Sequence, residues 1–167
     1  ERLRHILRSL SQWHERWAFC GASAAVMHGL DCSYRQLHPI HVAVGRNSRP
    51  RNQRYVRFHV LDDAETVAVD GARVTSILRT LVDCAAMMPR RYAMAPIDSA
   101  LRQGKTTVEQ MLEYVDAIPM LRDRERIRAV LAQGDGRVEN GGESECRAVL
   151  DELGFPVHRV QVEFPCL

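Results

Sequence analysis

Lysine is nearly missing from this chain. Of its 23 basic residues only Lys105 is a lysine; the other 22 are arginines. GC-rich codon usage produces such a bias without functional cause, so the arginines carry meaning only where they cluster. Long apolar runs are also missing. No stretch approaches the roughly 18 residues that a membrane-crossing helix needs, and none has the form of a signal peptide. A cytoplasmic protein without membrane association is expected. The five cysteines (Cys20, Cys32, Cys84, Cys146 and Cys166) are odd in number, scattered, and never spaced C-x-x-C. That argues against a disulfide framework or a zinc site and for reduced thiols. Cys20 and Cys84 sit in apolar runs, as core residues do. A net charge of +2 points to no partner by itself.

Carboxylates are locally absent. Between Cys32 and Leu61 there is no Asp or Glu, while Arg35, Arg46, Arg49, Arg51, Arg54 and Arg57 fall there with His38, His41 and His59. Arg46, Arg49, Arg51 and Arg54 lie on a polar loop over 45–54, and Arg57 continues onto the next strand. With Asn47, Ser48, Asn52, Gln53 and Tyr55 they form the usual set of phosphate and sugar contacts. A loop kept soluble by arginine is the non-functional alternative. These five arginines are the candidate nucleic-acid-binding residues.

What is present supports one domain, or one domain and part of another. An amphipathic helix over 1–16 places Leu3, Ile6, Leu7, Leu10 and Trp13 on one stripe. A short strand over 17–20 follows, then Gly21 and a small-residue helix over about 22–29 closed by Gly29. Such a turn can offer free N–H groups to a phosphate; with no full phosphate-loop pattern present, close packing of small side chains without a ligand is the preferred reading. Strands are expected at 40–44, 55–61, 66–69 and 72–75, the last two as a hairpin around Asp70-Gly71. Helices are expected from a Thr75 or Ser76 cap to Met88, over 91–103, over 107–117 behind a Thr106–Glu109 capping box, and over 120–132 with i,i+3 ion pairs. Residues 134–142 carry four glycines and read as a linker. A helix over 143–153 and a strand over 157–164 follow. The chain opens at Glu1 rather than at Met, and residues 162–167 read like a strand interrupted before its fold is finished.

Two ordered stretches resemble the AbiE-type (type IV) antitoxin family: Gly21-Ala22-Ser23-Ala24-Ala25-Val26-Met27-His28-Gly29, and Val74-Thr75-Ser76-Ile77-Leu78-Arg79-Thr80-Leu81-Val82-Asp83 followed by Ile97-Asp98-Ser99-Ala100-Leu101-Arg102-Gln103-Gly104. The resemblance covers about 18–117. It implies a core similar to a nucleotidyltransferase, behind a winged helix that would precede Glu1, and a role in a toxin–antitoxin pair as a DNA-binding transcriptional regulator. Gly21, Ser23, His28, Gly29, Arg79 and Asp83 are its motif residues. A second resemblance, in Glu143-Ser144-Glu145-Cys146-Arg147 and Val160-Gln161-Val162, is to the opening of a very-short-patch-repair-like PD-(D/E)XK nuclease domain. It implies roles for Glu143 and Gln161 only, and one Glu cannot assemble a metal-dependent nuclease site.

The strand His41-Val42-Ala43-Val44 carries no carboxylate to hold Mg²⁺ for nucleotidyl transfer; Asp62 and Asp63, with Asp31, are the remote alternative. His28 and His41 read as structural residues. Arg79 and Asp83, at i and i+4, read either as a local salt bridge or as an arginine turned back to order the hairpin. The expectation is therefore an α/β (α+β) fold: a small mixed sheet, a helical bundle after it, and a C-terminal helix–strand fragment, divided as 1–133, linker 134–142, and 143–167. The expected role is a non-catalytic antitoxin-like module that uses no cofactor or metal and contacts DNA or a cognate toxin. Two alternatives are the targeting part of a nuclease whose catalytic strands lie further on, and a degenerate nucleotide-binding module built on the Gly21 turn.

Overall fold

The computed structural model describes residues 1–48, 50–61 and 65–155. They form a mixed α/β fold with seven helices and a five-stranded mixed sheet. The expected strand over 157–164, Gln161, Arg49, Asp62 and Asp63 lie outside the described residues.

Helix α1 (Arg2–Trp13) places Leu3, Leu7 and Leu10 against the sheet. Ile6 and Trp13 sit on the flank of that stripe and remain 41% and 83% exposed. Strand β1 (Ala18–Phe19) is short and wholly buried. Helix α2 (Gly21–Met27) leaves it at once. Gly21 has φ +51°, and a Cβ there would sit 3.3 Å from Met87 Sδ. Gly29, at φ +74°, closes the helix: its N–H reaches Val26 O at 3.1 Å, and Leu30 N–H reaches Ala25 O at 2.9 Å. This paired pattern satisfies the carbonyls left over at a helix end.

Strands β2 (Ile40–Val44), β3 (Val56–Val60), β4 (Thr66–Val69) and β5 (Ala72–Thr75) complete the sheet in the order β3-β2-β1-β5-β4. β2 runs antiparallel to β1 and parallel to β3, whereas β5 runs parallel to β1 and antiparallel to β4. Asp70 and Gly71, at φ 50° and 79°, make the tight β4–β5 turn. Phe19, Val42 and Val74 face the core that α1 and α2 cover.

Helices α3 (Ile77–Met87), α4 (Arg90–Arg102), α5 (Val108–Ala117) and α6 (Arg124–Leu131) build a second core around Leu81, Met94, Ile97, Met111 and Leu131. Ser76 caps α3. The capping box of α5 lies one residue later than the sequence suggests. Thr107 Oγ1 accepts from Gln110 N at 3.3 Å, and Gln110 Oε1 accepts from Thr107 N at 3.0 Å. α6 begins only after Asp123, which is left-handed at φ 54°. Its arginines prefer neighbouring helix ends to i,i+3 partners. Arg126 donates to the carbonyls of Ala85 and Ala86 at the end of α3, and Arg124 to those of Asp116 and Ile118 at the end of α5. Helix C-termini carry unpaired carbonyls and partial negative charge, so a guanidinium gains more there than in water.

The glycine-rich stretch runs along α4. A Cβ on Gly134 would lie 2.6 Å from Leu101 Cδ1 and 2.8 Å from Ile97 Cγ2. Val138 is fully buried. Asn140 then caps helix α7 (Gly141–Glu152). α7 packs on α4, where Arg147 pairs with Asp98 and Arg90 pairs with Asp151. Among the described residues no helix is long and apolar enough to cross a membrane.

Candidate nucleic-acid interface

Residues 45–55 connect two neighbouring parallel strands, a connection that usually runs through a helix. Here the described residues, 45–48 and 50–55, contain no helix. Ser48 N–H reaches Gly45 O at 2.9 Å, Ile40 N–H reaches Tyr55 O at 2.8 Å, and Gln53 N–H reaches Val56 O at 2.9 Å. Asn52 Oδ1 accepts from Phe58 N at 2.9 Å, so the loop is pinned to the outer edge of β3. Arg46, Arg51 and Arg54 stand exposed on this loop and Arg57 on β3. The Arg54 guanidinium lies 5.1 Å from the Tyr55 ring centroid. No acid occurs in the sequence from 33 to 60.

Behind these arginines lies a histidine pair. His41 is the register partner of Arg57 across β2 and β3. His41 Nδ1 and His59 Nε2 share a hydrogen bond at 2.8 Å, with the rings nearly parallel. Burial, the His59 ring and the Arg57 guanidinium together push the His41 pKa down to about 4. Burial and Arg57 likewise lower His59. Ser23 Oγ, fully enclosed, accepts the His41 backbone N–H at 2.9 Å. Its hydroxyl is thus occupied in tying α2 to β2.

The Gly21 turn is sealed rather than open. Gly21, Ala22 and Ser23 are all buried. His28 Nε2–H donates to Thr75 O at 2.8 Å and so bridges α2 to β5; burial holds its pKa below the ordinary histidine value. The single lysine anchors the end of α2, where Lys105 Nζ donates to His28 O.

Arg79 and Asp83 form a buried pair, with Nε–H to Oδ1 at 2.9 Å. Burial outweighs the arginine and raises Asp83 to about 6, in keeping with its second oxygen, Oδ2, which has no hydrogen-bond partner among the described residues. Arg79 also borders a cavity of about 350 Å³ with Arg46, Tyr114 and Met120, so the arginine loop and the start of α3 share one hollow. Asp31 pairs with Arg102 at 2.9 Å. Glu143 Oε2 accepts the Glu139 N–H at 2.9 Å at the start of α7. Among the described residues no cluster of His, Cys, Asp or Glu could hold a metal ion.

Asp98 is the buried acid that sequence reasoning passed over. It lies inside a quoted motif, but its partners, Asp135 N–H and Arg147, are 37 and 49 residues away, beyond any local spacing rule.

Residues 17–133 match the family described as AbiEi antitoxin C-terminal domain. The chain belongs to this family, a family of toxin–antitoxin systems. It is also 30% identical over 146 residues to two proteins of Mycobacterium tuberculosis, uncharacterized protein MT2308 of strain CDC 1551 and uncharacterized protein Rv2248 of strain H37Rv. Each alignment covers 85% of this chain and 51% of the relative, so the chain spans about half the length of the curated relatives it matches.

Proposed function

We propose that this chain is a non-catalytic antitoxin core that contacts the backbone of nucleic acid through its arginine loop while serving a cognate toxin partner. One observation carries the reading: Arg46, Arg51 and Arg54 are exposed on a loop fixed at both ends and Arg57 is exposed on the strand that follows it, in a stretch without a single carboxylate. Phosphate contacts of this kind position a protein without reading sequence. The absence of a carboxylate on β2 supports a role without metal-dependent transfer, and so does the use of Glu143 at a helix start.

The test is fluorescence anisotropy against a random-sequence duplex, titrated from low to physiological salt. Binding should weaken steeply with salt. Replacing Arg51, Arg54 and Arg57 by Ala should reduce the log–log salt slope by about 2.7, since each phosphate contact contributes roughly 0.9, and should leave the melting temperature unchanged. No binding at low salt, or an unchanged slope, overturns the assignment of this loop.

A further inference from the structure

The central strand β1 has two residues, while its neighbours β2 and β5 have five and four. Where β1 runs out beyond Ala18, a cavity of about 590 Å³ opens between β2 and β5, at the opposite end of β1 from Gly21. Its walls divide by chemistry. Trp17 and Phe58 supply an aromatic side, their rings edge-to-face with centroids 5.6 Å apart. Arg16 and Arg73 supply two guanidiniums, and Ser48 and Thr66 two hydroxyls. Among the described residues no acid lines it. Arg73 Nη2 donates to Thr66 Oγ1 at 3.3 Å, and neither arginine forms an ion pair among the described residues. Two like charges that border one partly apolar hollow repel each other and favour an anion between them. The volume lies within the range of small-molecule sites.

We propose that this cavity binds a nucleoside phosphate, either free or at the end of a strand, with the base along Trp17 and Phe58 and the phosphate between Arg16 and Arg73. An inorganic anion would use the arginines and leave the aromatic wall idle. An apolar ligand would engage only the aromatic wall and leave the arginines to solvent. A nucleoside phosphate engages both walls. Gly45, Ser48 and Pro50 of the arginine loop line the cavity, whereas Arg46, Arg51, Arg54 and Arg57 do not, so substituting those arginines tests duplex binding without removing a wall of this site.

The experiment is a fluorescence titration of the chain carrying Trp13→Phe. Trp13 is 83% exposed and outside the cavity, so Trp17 becomes the sole indole reporter. Adenosine monophosphate and a 5′-phosphorylated trinucleotide are compared with adenosine and inorganic phosphate. Saturable quenching by a phosphorylated ligand is expected, at least tenfold weaker in Arg16→Ala/Arg73→Ala and at least tenfold weaker with adenosine or phosphate alone. Tighter binding of the mononucleotide assigns a free ligand; tighter binding of the trinucleotide assigns a strand end. Ser48→Tyr, which narrows the mouth from an exposed position, provides the same reading if the double variant does not fold. Absence of saturable quenching by both phosphorylated ligands overturns the proposal. So does unchanged affinity in the variants, or phosphate binding as tightly as the mononucleotide.

Discussion

Asp98 and Arg147 are 49 residues apart and meet at 2.8 Å, with the Asp98 side chain wholly enclosed between α4 and α7. Burial raises the Asp98 pKa, and the Asp135 N–H and Arg147 pull it back down. Arg147→Ala removes one of those stabilising groups and leaves a carboxylate without its counter-charge. The expected cost is about 3 kcal/mol at pH 7, in the range for breaking a buried pair. It should shrink as pH falls and Asp98 takes up a proton. Urea denaturation over a series of pH values from 7 downwards measures both quantities; a loss that keeps the same size throughout the series contradicts the account.

Asp83 gives a second pH signature. Its folded pKa of about 6 stands above its ordinary 3.8. The folded chain therefore holds this proton where the unfolded chain has released it. Stability contributed by the group is full below about pH 4 and declines as pH rises to about 6. In Asp83→Asn the stability difference from the parent should change across that interval and stay flat above it. A constant difference from pH 4 to 7 would show that Asp83 titrates normally.

His41 acts in the opposite direction. Its folded pKa of about 4 lies below the ordinary 6.5, so its contribution is full above 6.5 and is lost as pH falls towards 4. Imidazole NMR titration should place its midpoint near 4. Arg57→Gln should move the midpoint upward by removing a neighbouring cation, and His59→Gln should move it upward while keeping a hydrogen-bonding group. A midpoint indifferent to both substitutions would assign the depression to burial alone.

Gly134 and Gly45 make a matched contrast. Gly134→Ala forces a methyl group into Leu101 and Ile97 and should cost about 1–3 kcal/mol, as overpacking does. Gly45→Ala meets nothing within 4 Å and should stay within about 0.5 kcal/mol. Thermal unfolding of the two variants decides whether the glycines after α6 serve contact.

Local grammar carried much of this fold. The strand–glycine–small-residue turn, the Asp70-Gly71 hairpin, the Ser76 cap and the glycine at the end of α2 are written in neighbouring residues, and each appears in the structure close to where spacing puts it. The displaced capping box at Thr107 shows the limit of such rules, since two adjacent threonines compete and only three-dimensional context picks one. The parallel pairing of β2 with β3, the service of α6 arginines to other helices, and the Asp98–Arg147 bond depend on partners on other elements, from 6 and 8 residues away for Arg124 to 49 for Asp98 and Arg147. Periodicity has no means to express them. The candidate site was half legible: the arginine cluster is visible in composition, whereas the cavity at the end of β1 arises from the unequal lengths of three strands.

The Asn52–Phe58 hydrogen bond has a consequence for assembly. β3 is the outermost strand on its side of the sheet, and an open outer strand invites another chain to extend the sheet. Here the Asn52 side-chain amide takes up the Phe58 N–H on that border, so one donor of the open edge is already occupied. A protein joining this side by strand addition must first displace the Asn52 amide from Phe58 N–H. If the loop takes phosphate as proposed, sheet extension at β3 beside Phe58 and phosphate capture would compete for neighbouring surface.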